Sequence, residues 1–279
     1  MEMVQTKLIA ASLALVVLVS CEPSYKWKRF NMDASRTGVT WTTSENVAES
    51  IGTVEDGVYT SPNGRQFKNC CASAVAADML AVQPRMRDLK LPIGVASEDM
   101  VRQAPECALS NLLVDVMMRR TAEETGCKVD LGILNFGGIR TDITRGDVLL
   151  DDIYSMLPFK NSYCYVQLKG EDVIRIFEFL ARTRPQVIGG ARVVVQNRKI
   201  KSLEIGGKLV DREALYGVAT LDFLLDGGDS LYIARNAKKL IMTDILPKQA
   251  IREYVETLTA EGRELEYSAD GRYVVLEDE

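Results

Sequence analysis

Residues Ala108 to Arg140 read ALSNLLVDVMMRRTAEETGCKVDLGILNFGGIR, a helix, a strand and a glycine loop in immediate succession. Leu109, Leu112, Leu113, Val116 and Met117 recur at spacings of three and four, which predicts an amphipathic helix over Ala108 to Thr125. Gly126 ends it. Val129 to Leu134 reads as a buried strand. It runs into Asn135-Phe136-Gly137-Gly138-Ile139-Arg140, a turn that glycine makes possible.

The same patterns extend in both directions. Upstream, Val75, Met79, Val82 and Met86 predict a helix over Ala72 to Leu89, disturbed at Pro84, and Leu91 to Ala96 reads as a short strand. Downstream come a strand over Ser162 to Lys169, a helix over Glu171 to Arg182, and strands near 191–196, 201–205 and 215–220. A short strand at Leu231 to Ala234 and a helix over Pro247 to Ala260, with proline in its first turn, complete the series. Residues 22–70 are rich in Ser, Thr, Asn and Gly; short strands are expected within Trp41 to Val54 and Gly57 to Phe67, joined by the turn Ser61-Pro62-Asn63-Gly64. Helices and strands mix without strict alternation, so the expected fold class is α+β, with mixed α/β layers.

The 279 residues are 47% hydrophobic, 26% charged and 7% aromatic, the balance of an ordinary globular protein. A net charge of -5 argues against a nucleic-acid polymer as partner, because such binding needs a basic footprint. The sequence holds no histidine. A Ser-His-Asp triad, a Cys-His pair and a His-ligated zinc or dimetal centre are therefore excluded within these residues.

Leu8 to Ser20 is an uncharged run of 13 residues, shorter than the 20 or so that span a bilayer and of signal-peptide length. It ends in Leu18-Val19-Ser20-Cys21, which resembles a bacterial lipobox. The expectation is a signal peptide at 1–20 and a lipidated Cys21 that anchors an exported protein at a membrane facing the periplasm or cell surface; an ordinary signal peptide with a chance cysteine is the alternative. Cys70, Cys71, Cys107, Cys127 and Cys164 match no zinc spacing, and an odd number leaves at least one thiol unpaired.

Three loops carry chemistry. In Asn135 to Arg140, Gly137 and Gly138 allow close approach of a ligand, and Arg140 can grip a phosphate or carboxylate. In Leu157-Pro158-Phe159-Lys160-Asn161, proline can present Phe159 as a stacking platform. In Phe223-Leu224-Leu225-Asp226-Gly227-Gly228-Asp229, a second aromatic stands beside a carboxylate that can accept both hydroxyls of a ribose. Each motif alone also fits plain structure: a Gly-Gly turn, a core phenylalanine, a capping aspartate.

Taken together and in order, the three loops resemble motifs of the 5'-nucleotidase C-terminal domain, and so does Glu106-Cys107-Ala108-Leu109-Ser110-Asn111-Leu112 with Asp115. The resemblance covers residues 92–262 or so and implies a domain of mixed sheets flanked by helices. With the lipobox-like start, the expected division is a signal peptide (1–20), a lipid-anchored extension (21–91) and the domain itself (92–279). The resemblance also implies a site for a nucleotide or nucleoside. Phe159 and Phe223 then sandwich the base, Asn161 meets its edge, Asp229 holds the ribose hydroxyls, and Asn135, Gly137, Gly138 and Arg140 face the ribose and phosphate.

Two departures qualify the resemblance. The family's phosphate-binding arginine, four residues before the position of Cys107, is Gln103 here, with Arg102 beside it. The family's catalysis resides in a separate metallophosphatase domain that holds two divalent metals, and no such domain is recognisable here. No catalytic residue, metal ligand or cofactor is therefore expected in this chain. The expectation is a recognition subunit for nucleotide breakdown that works with a separately encoded metallophosphatase. The alternatives are a non-catalytic nucleotide- or nucleoside-binding lipoprotein, or a structural lipoprotein without a working site.

Overall fold

A computed structural model describes residues 47–68 and 70–277; the expected signal peptide and Cys21 lie outside the described residues. The described residues fall into two compact units, 47–76 and 77–277. In the first, a helical turn, α1 (Val47–Ile51), replaces the expected extended chain, because VAESI lacks alternation and is centred on the helix formers Ala48 and Glu49. Strands β1 (Thr53–Glu55), β2 (Val58–Thr60) and β3 (Gln66–Lys68) form an antiparallel meander. The Gly64 N–H donates to the Ser61 carbonyl at 2.8 Å, which closes the expected turn between β2 and β3. Helix α2 (Cys71–Val82) has residues in both units, and it gives way to a 3₁₀ segment of the second unit, Gln83–Lys90, which contains Pro84.

The second unit is built on a five-stranded mixed sheet in the order β13-β7-β12-β5-β8. Its strands are β5 (Leu131–Leu134), β7 (Tyr163–Lys169), β8 (Val187–Gly189), β12 (Leu215–Leu221) and β13 (Lys239–Met242). A four-stranded sheet, β11-β10-β9-β14, is made of β9 (Ala191–Gln196), β10 (Lys199–Ile205), β11 (Lys208–Leu209) and β14 (Tyr273–Val275). Strands β4 (Pro92–Ala96) and β6 (Gly146–Leu149) pair separately. Helix α3 (Ala108–Thr125) buries Leu109, Leu112, Leu113, Val116 and Met117 against the central sheet, and Gly126 ends it in a left-handed conformation. Short helix α4 (Leu150–Met156) follows β6. Helix α5 (Gly170–Arg182) packs on β7 and β10, and α6 (Pro247–Ala260) packs on β4, α3 and α4.

Leu231 to Ala234 is not a strand. Its alternation is real, since Leu231 and Ile233 are buried and Tyr232 is exposed. Its partners are local: the Ile233 and Ala234 N–H groups donate to the carbonyls of Leu224 and Leu225 at 3.2 and 3.1 Å, so the segment ties down its own loop.

The polar residues that precede and open α3 are structural. Glu106 accepts N–H groups from Asn111, Asp270 and Gly271 at 2.8, 2.7 and 3.1 Å. Asp115 holds Arg272 through both oxygens at 2.8 and 3.1 Å and accepts the Tyr267 hydroxyl at 2.6 Å. They clamp the segment that leads into β14. All five cysteines among the described residues are free. No helix among those residues is long and apolar enough to cross a membrane.

Candidate functional site

Strand direction brings the three loops together. β12 runs parallel to β5 and antiparallel to β7, with Leu221 opposite Tyr163. The C-terminal ends of β5 and β12 and the N-terminal end of β7 therefore share one edge of the sheet. Asn135 leaves β5 there, the Phe223 loop leaves β12, and the Phe159–Asn161 segment enters β7.

At that edge lies a cavity of about 230 Å³. Asn135, Gly137, Gly138, Phe159, Asn161, Phe223 and Asp229 line it, with Leu113, Leu134, Ile139, Leu157, Tyr163, Leu221 and Pro247 as apolar walls. Phe159 and Phe223 are 49% and 45% exposed, so neither is a core residue. Asp222 joins their loops. Its Oδ1 accepts the Asn161 side-chain amide at 2.7 Å and the Phe223 N–H at 2.6 Å, while its own N–H donates to the Ser162 carbonyl at 3.0 Å. Burial pushes the Tyr163 phenol well above its ordinary range, so it stays neutral in the wall.

The glycines leave room for their neighbours. A Cβ on Gly138 would stand 3.0 Å from Asn135 Oδ1, and one on Gly137 would stand 3.4 Å from Asn135 Nδ2 and 3.8 Å from Asp229 Oδ2. Asn135 and Asp229 thus both stand beside Gly137. Asp229 adopts a left-handed backbone, φ 51° and ψ 27°, which is uncommon for a non-glycine residue. Its Oδ2 is buried and has no hydrogen-bond partner, while Oδ1 is held by Arg184 Nη2 at 2.5 Å. A buried carboxylate oxygen without a donor costs free energy unless something else supplies one.

Arg140 is not among the residues that line the cavity: it is exposed, and its Nη1 donates to the Gly137 carbonyl at 3.4 Å. Arg102 reaches the same loop and donates to the Ile139 carbonyl at 2.7 Å. Three polar residues carried no recognisable signal in the sequence. Asp222 and Arg184 are named above, and Gln186 accepts the Phe136 N–H at 2.9 Å. Each acts through a partner 45 to 61 positions away or, for Asp222, also through the next residue.

The family model for the 5'-nucleotidase C-terminal domain matches residues 92–235, just over half of the chain. The chain belongs to this family. A protein named UshA from Escherichia coli is 26% identical over 153 residues, 53% of this chain and 27% of the relative. A 5'-nucleotidase from Vibrio cholerae is 27% identical over 135 residues, 46% of this chain and 24% of the relative. The chain thus spans about a quarter of the length of these relatives. The crystal structure of a 5'-nucleotidase precursor from Thermus thermophilus matches with a TM-score of 0.65 and 25% identity, over 73% of this chain and 43% of that one. An NAD nucleotidase from Haemophilus influenzae shares the fold, with a TM-score of 0.56 at 16% identity over 78% of this chain and 48% of that one.

Proposed function

We propose that the cavity recognises a nucleoside or nucleotide. Phe159 and Phe223 offer ring faces to the base, and the Asn161 amide offers a carbonyl and a second N–H to its edge. Asp229 Oδ2 accepts ribose hydroxyls, Asn135 adds a donor and an acceptor beside it, and Arg140 with Arg102 faces the 5' phosphate. The observation that carries this reading is the unpartnered, buried Oδ2 of Asp229, a residue of the wall of a cavity that two exposed aromatic rings also line. A carboxylate poised for donors beside two π-faces is complementary to a riboside.

Within nucleotide breakdown, the chain acts as the recognition subunit for a separately encoded metallophosphatase that supplies the two divalent metals and the hydrolysis. The 279 residues hold no histidine, and the family they match is that of the C-terminal domain. Lipidation of Cys21 belongs to the same proposal, because co-tethering at a membrane raises the effective concentration of the two partners.

Titration calorimetry with adenosine and AMP tests the site. Removing one ring, by Phe159→Ala or Phe223→Ala, is expected to weaken adenosine binding by roughly 5- to 150-fold, the loss of one stacked face. Unchanged affinity in both variants contradicts the base slot.

A further inference from the structure

After α5 the chain reads Arg184-Pro185-Gln186 before it enters β8. This tripeptide touches both polar loops of the cavity: Arg184 holds Asp229 Oδ1 at 2.5 Å, and Gln186 holds the Phe136 N–H at 2.9 Å. Gln186 is 2% exposed, so the segment is anchored at the root of the glycine loop. Pro185 stiffens it, and a residue before proline is held to extended backbone, which limits where Arg184 can point.

Asp229 needs such a guide. Gly227, Asp229 and Ser230 have φ of 101°, 51° and 63°, so the turn that presents the carboxylate is itself strained. It is closed by N–H donors from Gly227 to the Leu231 carbonyl at 2.6 Å and from Ser230 to the Gly227 carbonyl at 3.0 Å. These bonds fix the backbone and leave the carboxylate free to swing. A carboxylate turned away would give its second oxygen to solvent. Arg184, whose own side chain is 62% exposed, takes Oδ1, and Oδ2 is left buried and without a donor, 3.8 Å from the Cβ position of Gly137 in the cavity wall.

We propose that Arg184 is a positioning residue for riboside selectivity: it aims the free oxygen of Asp229 at the sugar hydroxyls and makes the cavity prefer ribosides to free bases. The inference rests on the nucleoside reading of the cavity and adds a residue that does not itself line it. The ion pair at Oδ1 fixes the rotation of the carboxylate, so the second oxygen keeps one direction.

Titration calorimetry of the full chain with adenosine and adenine tests it. The wild type is expected to prefer adenosine. Arg184→Ala is expected to lower adenosine affinity about 10-fold, the loss of one charge-assisted contact, and to leave adenine within about 2-fold. Arg184→Lys keeps one donor and restores part of the preference. In an Asp229→Ala background, Arg184→Ala should change nothing further, because its effect runs through that carboxylate. A preference that survives Arg184→Ala overturns the proposal, as does an equal loss for both ligands together with a lowered melting temperature. A wild type that binds neither ligand, nor AMP, overturns the nucleoside reading itself.

Discussion

Gly228 is the position where one methyl group should damage the site most directly. A Cβ there would lie 1.9 Å from the Phe223 carbonyl oxygen and 2.8 Å from Phe223 Cδ1. Contacts under 3.0 Å are essentially never adopted, and the oxygen is a backbone atom that cannot rotate away. The loop must therefore open by about 1 Å, which separates the Phe223 ring from Asp229. Overpacking of this kind costs about 1–3 kcal/mol, or about 3–10 °C in melting temperature for a domain of this size. A displacement of that size at two ligand-facing groups should also weaken adenosine binding at least about 10-fold. Gly262→Ala is the control. Gly262 has φ +68° with nothing within 4 Å of its Cβ position, so only the left-handed penalty of about 1 kcal/mol applies and adenosine binding should not change. Differential scanning calorimetry and adenosine titration read both variants. If Gly228→Ala binds adenosine like the wild type and melts no lower than the control, the close approach does not organise the site.

Arg140→Ala should weaken AMP binding about 10-fold and leave adenosine within about 2-fold, because its guanidinium lies outside the cavity on the loop assigned to the phosphate; parallel titrations show the split. Arg272→Ala should destabilise the protein by about 3 kcal/mol in guanidinium denaturation, since it strips two N–H donors from Asp115 and releases the β14 segment; a loss under about 1 kcal/mol refutes the clamp. Burial raises the Cys164 thiol from 9.0 to about 12 and also raises the Tyr163 phenol. Both folded-state values lie above the unfolded ones, so this stability is complete below pH 9 and is lost as pH rises towards 12. The denaturation midpoint should fall from pH 9 upward, and Cys164→Ala should remove the earliest part of that fall.

The central helix and the site loops were legible because their signals are local. The five apolar residues of α3 announce its buried face, and its bounds in the structure are those expected from the sequence. Asn135, Gly137, Gly138, Phe159, Asn161, Phe223 and Asp229 sit in short motifs, and the sheet brings all seven to one cavity. The edge strands were not legible. β13 exposes Leu240 and Met242 and has no alternation to read, and β14 is three residues long. Arg140 was read from the same motif as Gly137, yet it is not among the residues that line the cavity and its guanidinium donates to the Gly137 carbonyl, a partner that spacing alone does not give. Arg184, Gln186 and Asp222 depend mainly on partners distant in sequence, so only the folded chain reveals them.

The most direct test is a crystal structure of the protein soaked with AMP at saturating concentration. The account predicts the adenine ring between Phe159 and Phe223, the ribose hydroxyls on Asp229 Oδ2, and the phosphate on the Arg140 side of the glycine loop. An empty cavity, or AMP bound elsewhere on the molecule, would contradict it.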